Sequence, residues 1–291
     1  MTLWILRQEP QNDIILFLSV SGGDEDRKNL TVRKPIFLKK MKTSHQEIIQ
    51  EPRARFAFTE TSVWRKFYEA ARLCHLYGEI GRVTGPSGVG KTTAVNEYKR
   101  RDDSAIVIRA HHRYSTREVF VDLCEACHIE PKGTVHRMMR ELVTKLHHSA
   151  RLLILDEAEH LSPSTLDEVR QLNDRAGIGI LYVGIDRFRS RLQSLRGDYE
   201  YIVNRVKVPA SLRKLTLGDA ASLCRTVIPE LSDECVKLYH RESGGDGRFM
   251  ENHVFKSLIA ARHSSVPVGS EAFAEIIAQT ADILLERGGR K

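Results

Sequence analysis

Four short apolar runs mark the middle of the chain: Gly78–Gly85 (GEIGRVTG), Ser104–Ala110 (SAIVIRA), Arg151–Glu157 (RLLILDE) and Gly177–Gly184 (GIGILYVG). Each is too short for a helix and is bounded by small or polar residues, the pattern of a buried strand. Between them, apolar positions recur at helical spacing, as in TSVWRKFYEAARLCHL from Thr61 and REVFVDLCEACHI from Arg117. Thr61 or Ser62 offers an N-cap to the first of these. Strands alternating with amphipathic helices predict an α/β fold with a parallel central sheet and helical crossovers. Past about Thr216 the strand pattern stops. LGDAASLCRTVI, SDECVKLYHRES, GRFMENHVFKSLIAARH and GSEAFAEIIAQTADILLERG then read as helices. The expected division is an N-terminal extension over 1–54, an α/β domain over 55–215 and a small helical domain over 216–291.

The N-terminal region differs from the rest. IILFLSV reads as one strand, and RKNLTVRKPIFLKKMK carries Arg27, Lys28, Arg33, Lys34, Lys39, Lys40 and Lys42 without an acid. A solvated tail is the preferred reading, and an arm on nucleic-acid phosphates the alternative. Met41 offers an internal start, so residues 1–40 need not belong to the mature protein. No run approaches the roughly 18 apolar residues of a membrane span. DIILFLSVSGG is followed by acids rather than by a small-residue cleavage site, which makes it a poor signal peptide. Neither a membrane partner nor export is expected.

Composition changes this picture little, because 41% hydrophobic and 29% charged residues are ordinary for a globular protein. The formal charge of +7 leaves room for a polyanionic partner such as nucleic acid. Five cysteines, an odd number scattered along the chain, do not make a disulfide framework, and a reducing cytoplasm is the simpler setting.

The chemistry concentrates in two motifs. Gly85-Pro86-Ser87-Gly88-Val89-Gly90-Lys91-Thr92, continued by Thr93, fits G-x-x-x-x-G-K-[ST] and lies between a strand and a helix, as a P-loop must. Its glycines let backbone N–H groups face phosphate oxygens. Lys91 reaches the β- and γ-phosphates, and the Thr92 hydroxyl can ligate Mg²⁺. The second motif is the strand Leu152–Leu155 ending in Asp156 and Glu157. Asp156 can join the Mg²⁺ shell, and Glu157 can polarise a water for attack on the γ-phosphate. Glu159 and His160 are expected to face solvent or a neighbour, and no catalytic role is assigned to them. The end of GIGILYVGID lies between the two motifs, where Ile185 can offer no polar side chain.

These motifs, with a helical C-terminal lid, resemble the AAA+ ATPases. RFAFTETSVWRKFYEAARL, GVGKTTAVNEYKR, DEAEHLSPSTLDEVRQL and GIGILYVGIDR narrow the resemblance to the Mu B and TnsC (TniB)-type transposition ATPases, from about Arg55 to about Ala261. The resemblance implies an ATP- and Mg²⁺-dependent protein that assembles as a helical homo-oligomer on duplex DNA. It also implies target-site marking and recruitment or stimulation of a DDE transposase, with a target-selection protein as a further partner and ATP hydrolysis promoting disassembly. Arg205 in YIVNRVKVP then takes the position of an arginine finger acting on the adjacent subunit, and Arg248 in GGDGRFMENH that of a lid arginine reporting nucleotide state. VIRAHHRYSTREVF and EPKGTVHRMM resemble the DNA-facing segments of the family, which points to Arg117 and Thr134, with Arg113 and Lys132 beside them. A solvated helix face would carry similar residues. The family usually places Asn or Thr where this chain has Ile185, so slow hydrolysis is expected unless another group holds the water. A nucleotide-gated scaffold that does not hydrolyse, and a replication-initiation or helicase-loader ATPase, are the alternative readings.

CEACH, Cys124 to His128, spells a haem-attachment motif but lies in an amphipathic helical pattern, so its cysteines are expected in the core. His111-His112 and His147-His148 are too far apart in sequence to propose zinc.

Overall fold

The computed structural model describes residues 2–8, 15–21, 55–194 and 200–288. The basic run Arg27–Lys42, with Met41, lies outside the described residues. Near the start, β1 (Thr2–Gln8) pairs antiparallel with β2 (Ile15–Ser21), and β2 takes up most of the apolar run IILFLSV.

The chain from Ala57 to Leu223, with Ser243–Met250, forms one compact unit. It opens with α1 (Ser62–Tyr77), capped by the Thr61 side chain, which accepts the Trp64 N–H, and ended by Gly78 in the left-handed region. After it come β3 (Ile80–Thr84), α2 (Lys91–Arg101), β4 (Ala105–Arg109), α3 (Thr116–Ala126) and α4 (Val135–Leu146). Next are β5 (Leu152–Asp156), a 3-10 turn (Ala158–His160), α5 (Pro163–Ala176) and β6 (Gly179–Gly184). The succession ends with α6 (Asp186–Ser194), α7 (Glu200–Asn204), β7 (Val206–Ser211) and α8 (Leu217–Arg225), whose last turn passes beyond this unit.

The strands form one five-stranded sheet in the order β4-β5-β6-β3-β7, and every pair is parallel. In a parallel sheet the carboxyl ends of the strands lie along one edge, where ligands bind at a crossover in strand order. Here that edge brings the end of β6 between the ends of β3 and β5. β5 and β6 are buried at every position, as continuous apolar runs in a covered sheet should be. The fifth strand, β7, is not one of the four runs read from the sequence. It is an edge strand with alternating exposure, and it holds Pro209, which an edge tolerates because one side has no ladder to feed.

The core gathers residues from β4, β5 and β6 with the inner faces of α3, α4 and α5. Met138, Met139, Leu142 and Leu146 place the apolar stripe of α4 in that core. Each fully buried side chain of this size contributes about 1.5–3 kcal/mol, well above any difference in helix propensity. Cys124 and Cys127 lie in the same core, and all five cysteines are free and buried.

A second compact unit contains Cys224–Glu242 and the chain from Glu251 onward. It holds most of α9 (Asp233–Ser243), most of α10 (Gly247–His263) and α11 (Glu271–Gly288). Tyr239 and His253 pack edge to face at 4.8 Å, and the His253 ring bonds the Ile277 carbonyl at 2.8 Å. Burial lowers the His253 pKa. Phe56 belongs to this unit too, donating its N–H to Glu251 at 3.0 Å.

Candidate nucleotide site

The P-loop joins β3 to α2. Gly85 is buried against Leu212, and Val89 anchors the loop with a buried side chain. Gly88 and Gly90 have φ of 79° and 100°, the left-handed region that glycine enters without a Cβ penalty. A Cβ on Gly90 would meet nothing within 4 Å, so the loop is open at the start of α2. Lys91 Nζ donates to the carbonyls of Gly85 at 2.8 Å and Pro86 at 2.6 Å. Burial lowers the Lys91 pKa, while Glu159, then Asp156 and Asp186, oppose that shift. Thr93 and Ser87 are exposed.

Asp156, at the end of β5, is buried, and its Oδ2 accepts the Thr92 hydroxyl at 3.0 Å. The two oxygen donors assigned to Mg²⁺ are thus side by side. Hard oxygen ligands suit that ion, and the open loop with its lysine suits a triphosphate, so the residues fit both groups. Glu157 stands in the left-handed region at φ 57°, with its N–H on Asp156 Oδ1 at 3.0 Å. Its half-exposed carboxylate is 3.7 Å from His160 Nε2. Register pairs Arg109 of β4 with Asp156, and Arg109 Nε lies 3.3 Å from Asp156 Oδ2. Sequence reading missed Arg109, because that register is a tertiary fact.

Glu159, expected to face solvent or a neighbour, is partly buried, and its Oε2 accepts the Ile185 N–H at 3.3 Å, at the end of β6. Arg191 fixes the turn by donating to the carbonyls of Glu159, at 2.6 Å, and Leu161.

The segment 244–248 belongs to the nucleotide-binding unit. Gly247 and Arg248 donate their N–H groups to the Gly88 carbonyl at 3.0 and 3.3 Å. Asp246 accepts the Phe249 N–H at 2.9 Å, capping α10, and a Cβ on Gly88 would collide with its carboxylate. Arg248 is exposed, and its charge contributes to lowering the Lys91 pKa.

Arg205 sits apart from these groups. It directly precedes β7, whose first residue is in register with Ile80, the first residue of β3. It therefore lies at the amino edge of the sheet, and the P-loop at the carboxyl edge. Five strand residues of about 3.3 Å each separate the two levels. Its guanidinium is 55% exposed and 3.4 Å from Asp174.

Of the residues assigned to DNA, Arg117 donates to the Gly133 carbonyl, which joins the start of α3 to the loop containing Lys132 and Thr134. Arg113, exposed and at φ 64°, stands on the loop before α3. Lys132 pairs with Glu130 at 2.6 Å, and Thr134 caps α4 by accepting the Arg137 N–H. Arg137 and Arg140 are exposed on α4, where Arg137 pairs with Glu141 at 3.0 Å.

A model of the AAA domain family matches residues 75–192. The Mu-like prophage FluMu DNA transposition protein B of Haemophilus influenzae is 28% identical over 224 residues, 74% of this chain and 76% of that protein. The ATP-dependent target DNA activator B of Escherichia phage Mu is 27% identical over 184 residues, 61% of this chain and 57% of its own length. Among solved structures, the Aeropyrum pernix ORC2 protein superposes with a TM-score of 0.57 at 15% identity, over 72% of this chain and 67% of that one. A chain of Drosophila ORC bound to DNA gives 0.58 at 13% identity, over 91% of this chain and 70% of its own. Those structures share the fold.

Proposed function

We propose that this chain, a Mu B-like AAA+ ATPase, uses ATP to assemble as a helical homo-oligomer on duplex DNA. In this reading it marks target sites irrespective of sequence, and it recruits or stimulates a DDE transposase. Hydrolysis then dismantles the assembly. The names of its relatives, a transposition protein and a target DNA activator, support the biological setting.

The observation that carries the reading is the position of Arg205. An exposed arginine at the amino edge of the sheet cannot serve the phosphates of its own P-loop, which leaves it available to those of a second copy in this reading. Each nucleotide would then lie between two subunits, and binding it would fasten them. Within one subunit, Thr92 and Asp156 would hold Mg²⁺, which would supply charge neutralisation at the phosphates. Lys91 binds the β- and γ-phosphates, and Glu157 takes the proton of the attacking water. Arg205 of the neighbour stabilises the transition-state charge, a contribution of about 10³–10⁵ in rate where such a residue operates. Arg113, Arg117, Lys132 and Thr134 would meet the phosphate backbone, which positions a protein without reading sequence.

Two experiments test this. ATP with duplex DNA should give filaments by electron microscopy, and monomers under every nucleotide condition would refute the assembly. Arg205→Ala and Glu157→Gln should each abolish turnover and keep ATP binding. Mixing them should restore activity, because some interfaces then pair an intact Glu157 with an intact Arg205. Failure of the mixture to recover would place Arg205 outside the site.

A further inference from the structure

The end of β6 poses a question of chemistry. It lies between the P-loop and Asp156, and its residue Ile185 has nothing with which to hold a water. The main-chain N–H of Ile185 is nevertheless engaged, and its partner is the carboxylate of Glu159, reaching over from the turn after β5. Space there is reserved for that carboxylate: a Cβ on Gly184 would stand 2.6 Å from Glu159 Oε2. The turn is held from the other side by Arg191, through the carbonyls of Glu159 and Leu161. Two carboxylates therefore follow Asp156, and they point to different places. Glu157 lies beside His160, and Glu159 lies at the end of β6.

We propose that Glu159 is a positioning residue for ATP hydrolysis, supplying from the turn after β5 the polar group that Ile185 lacks at the end of β6. The proposal rests on the ATPase reading above and assigns a second carboxylate to it. In the step, the water oxygen bonds to the γ-phosphorus as the bond from that phosphorus to the β,γ-bridging oxygen breaks. The bond's electron pair leaves with ADP. One water proton passes to Glu157. Glu159 accepts a hydrogen bond from the other O–H and keeps its own protonation state, which fixes the direction of the attacking lone pair. Glycine at 184 is required because a side chain there would push this carboxylate away.

The test compares steady-state ATPase with the affinity for a fluorescent ATP analogue in the full chain with duplex DNA. Glu159→Ala should lower kcat about tenfold or more, the scale of one lost general acid–base or orienting group, with affinity within about threefold of wild type. Glu159→Gln, which keeps an oxygen for the Ile185 N–H and the water, should recover most of that loss. Ile185→Asn in the Glu159→Ala background should recover turnover too, by putting a polar side chain directly at the strand end. A residue that only shaped the turn would not be replaced from β6. Unchanged kcat in Glu159→Ala, loss of nucleotide affinity together with turnover, or no recovery by Ile185→Asn would each overturn the proposal. Wild type without turnover, or Glu157→Gln equal to wild type, would instead overturn the hydrolytic reading itself.

Discussion

The carboxylate of Asp246 occupies the space that a side chain on Gly88 would need. The P-loop and the first turn of α10 are thereby in contact through one glycine, and two further hydrogen bonds to the Gly88 carbonyl seal the junction. A nucleotide contact at the P-loop is therefore mechanically close to Arg248.

Gly88→Ala should lower both the melting temperature and the ATP affinity. Left-handed φ alone costs about 1–2 kcal/mol in a residue with a Cβ, and the clash adds to it. Asp246→Ala loses the cap of α10, about 1 kcal/mol. Because it also removes the clash, the double variant should be more stable than the sum of the two losses. Denaturant melts of the four proteins measure this, and simple additivity would mean that the clash is not what excludes a side chain.

Arg109 and Thr92 should move the Mg²⁺ requirement in opposite directions. Thr92→Ala removes an oxygen donor, so half-maximal ATPase should need about tenfold more Mg²⁺ or above, with Thr92→Ser close to wild type. Arg109→Ala removes a cation that shares Asp156 Oδ2, so less Mg²⁺ should suffice. A Mg²⁺ titration of the ATPase decides both.

Nucleic-acid affinity should fall steeply with salt and differ little between unrelated duplexes. Replacing Arg113, Arg117 or Lys132 by alanine should reduce the slope of log affinity against log salt, by about one for each arginine. Lys132 should have the smallest effect, because Glu130 already pairs with it. An unchanged slope in all three would move the interface elsewhere.

Glu97 gives a pH dependence of stability. Hydrogen bonds from Arg100, then Arg101, hold its pKa at about 2, against 4.5 for an ordinary glutamate. A lowered folded-state pKa stabilises the fold fully above the unfolded value and loses that contribution as pH falls through the folded one. The stability gap between wild type and Glu97→Gln should thus be constant near neutrality and close between about pH 4.5 and pH 2. Urea melts across that range would show it, and a gap independent of pH would deny Glu97 its charge-dependent part.

How legible the protein was in its sequence varies with the kind of information. Local signals carried the P-loop, the four buried strands, the Thr61 cap and the helix from Gly247 to His263, all of which follow from spacing and end chemistry. β7 was hidden because its alternation is short and carries a proline, which demotes a run as a strand. Arg109 and Glu159 were hidden for a different reason. Each acts across the sheet, one through strand register and the other through a turn that reaches the next strand end, and neither relation leaves a period in the sequence. Ile185 alone signalled that something else had to fill its place.

Burial of the five cysteines has a practical side. Desolvation pushes the Cys74 and Cys224 thiols up to about 12 and Cys124 to about 11, so the thiolate that reacts with maleimides is scarce at neutral pH. The native chain is therefore a ready blank for spectroscopy. A single cysteine introduced at an exposed position outside the sites described, such as Lys66 or Lys237, would take up a fluorophore selectively, and subunit joining could be followed by energy transfer without first stripping the protein of its own sulfur.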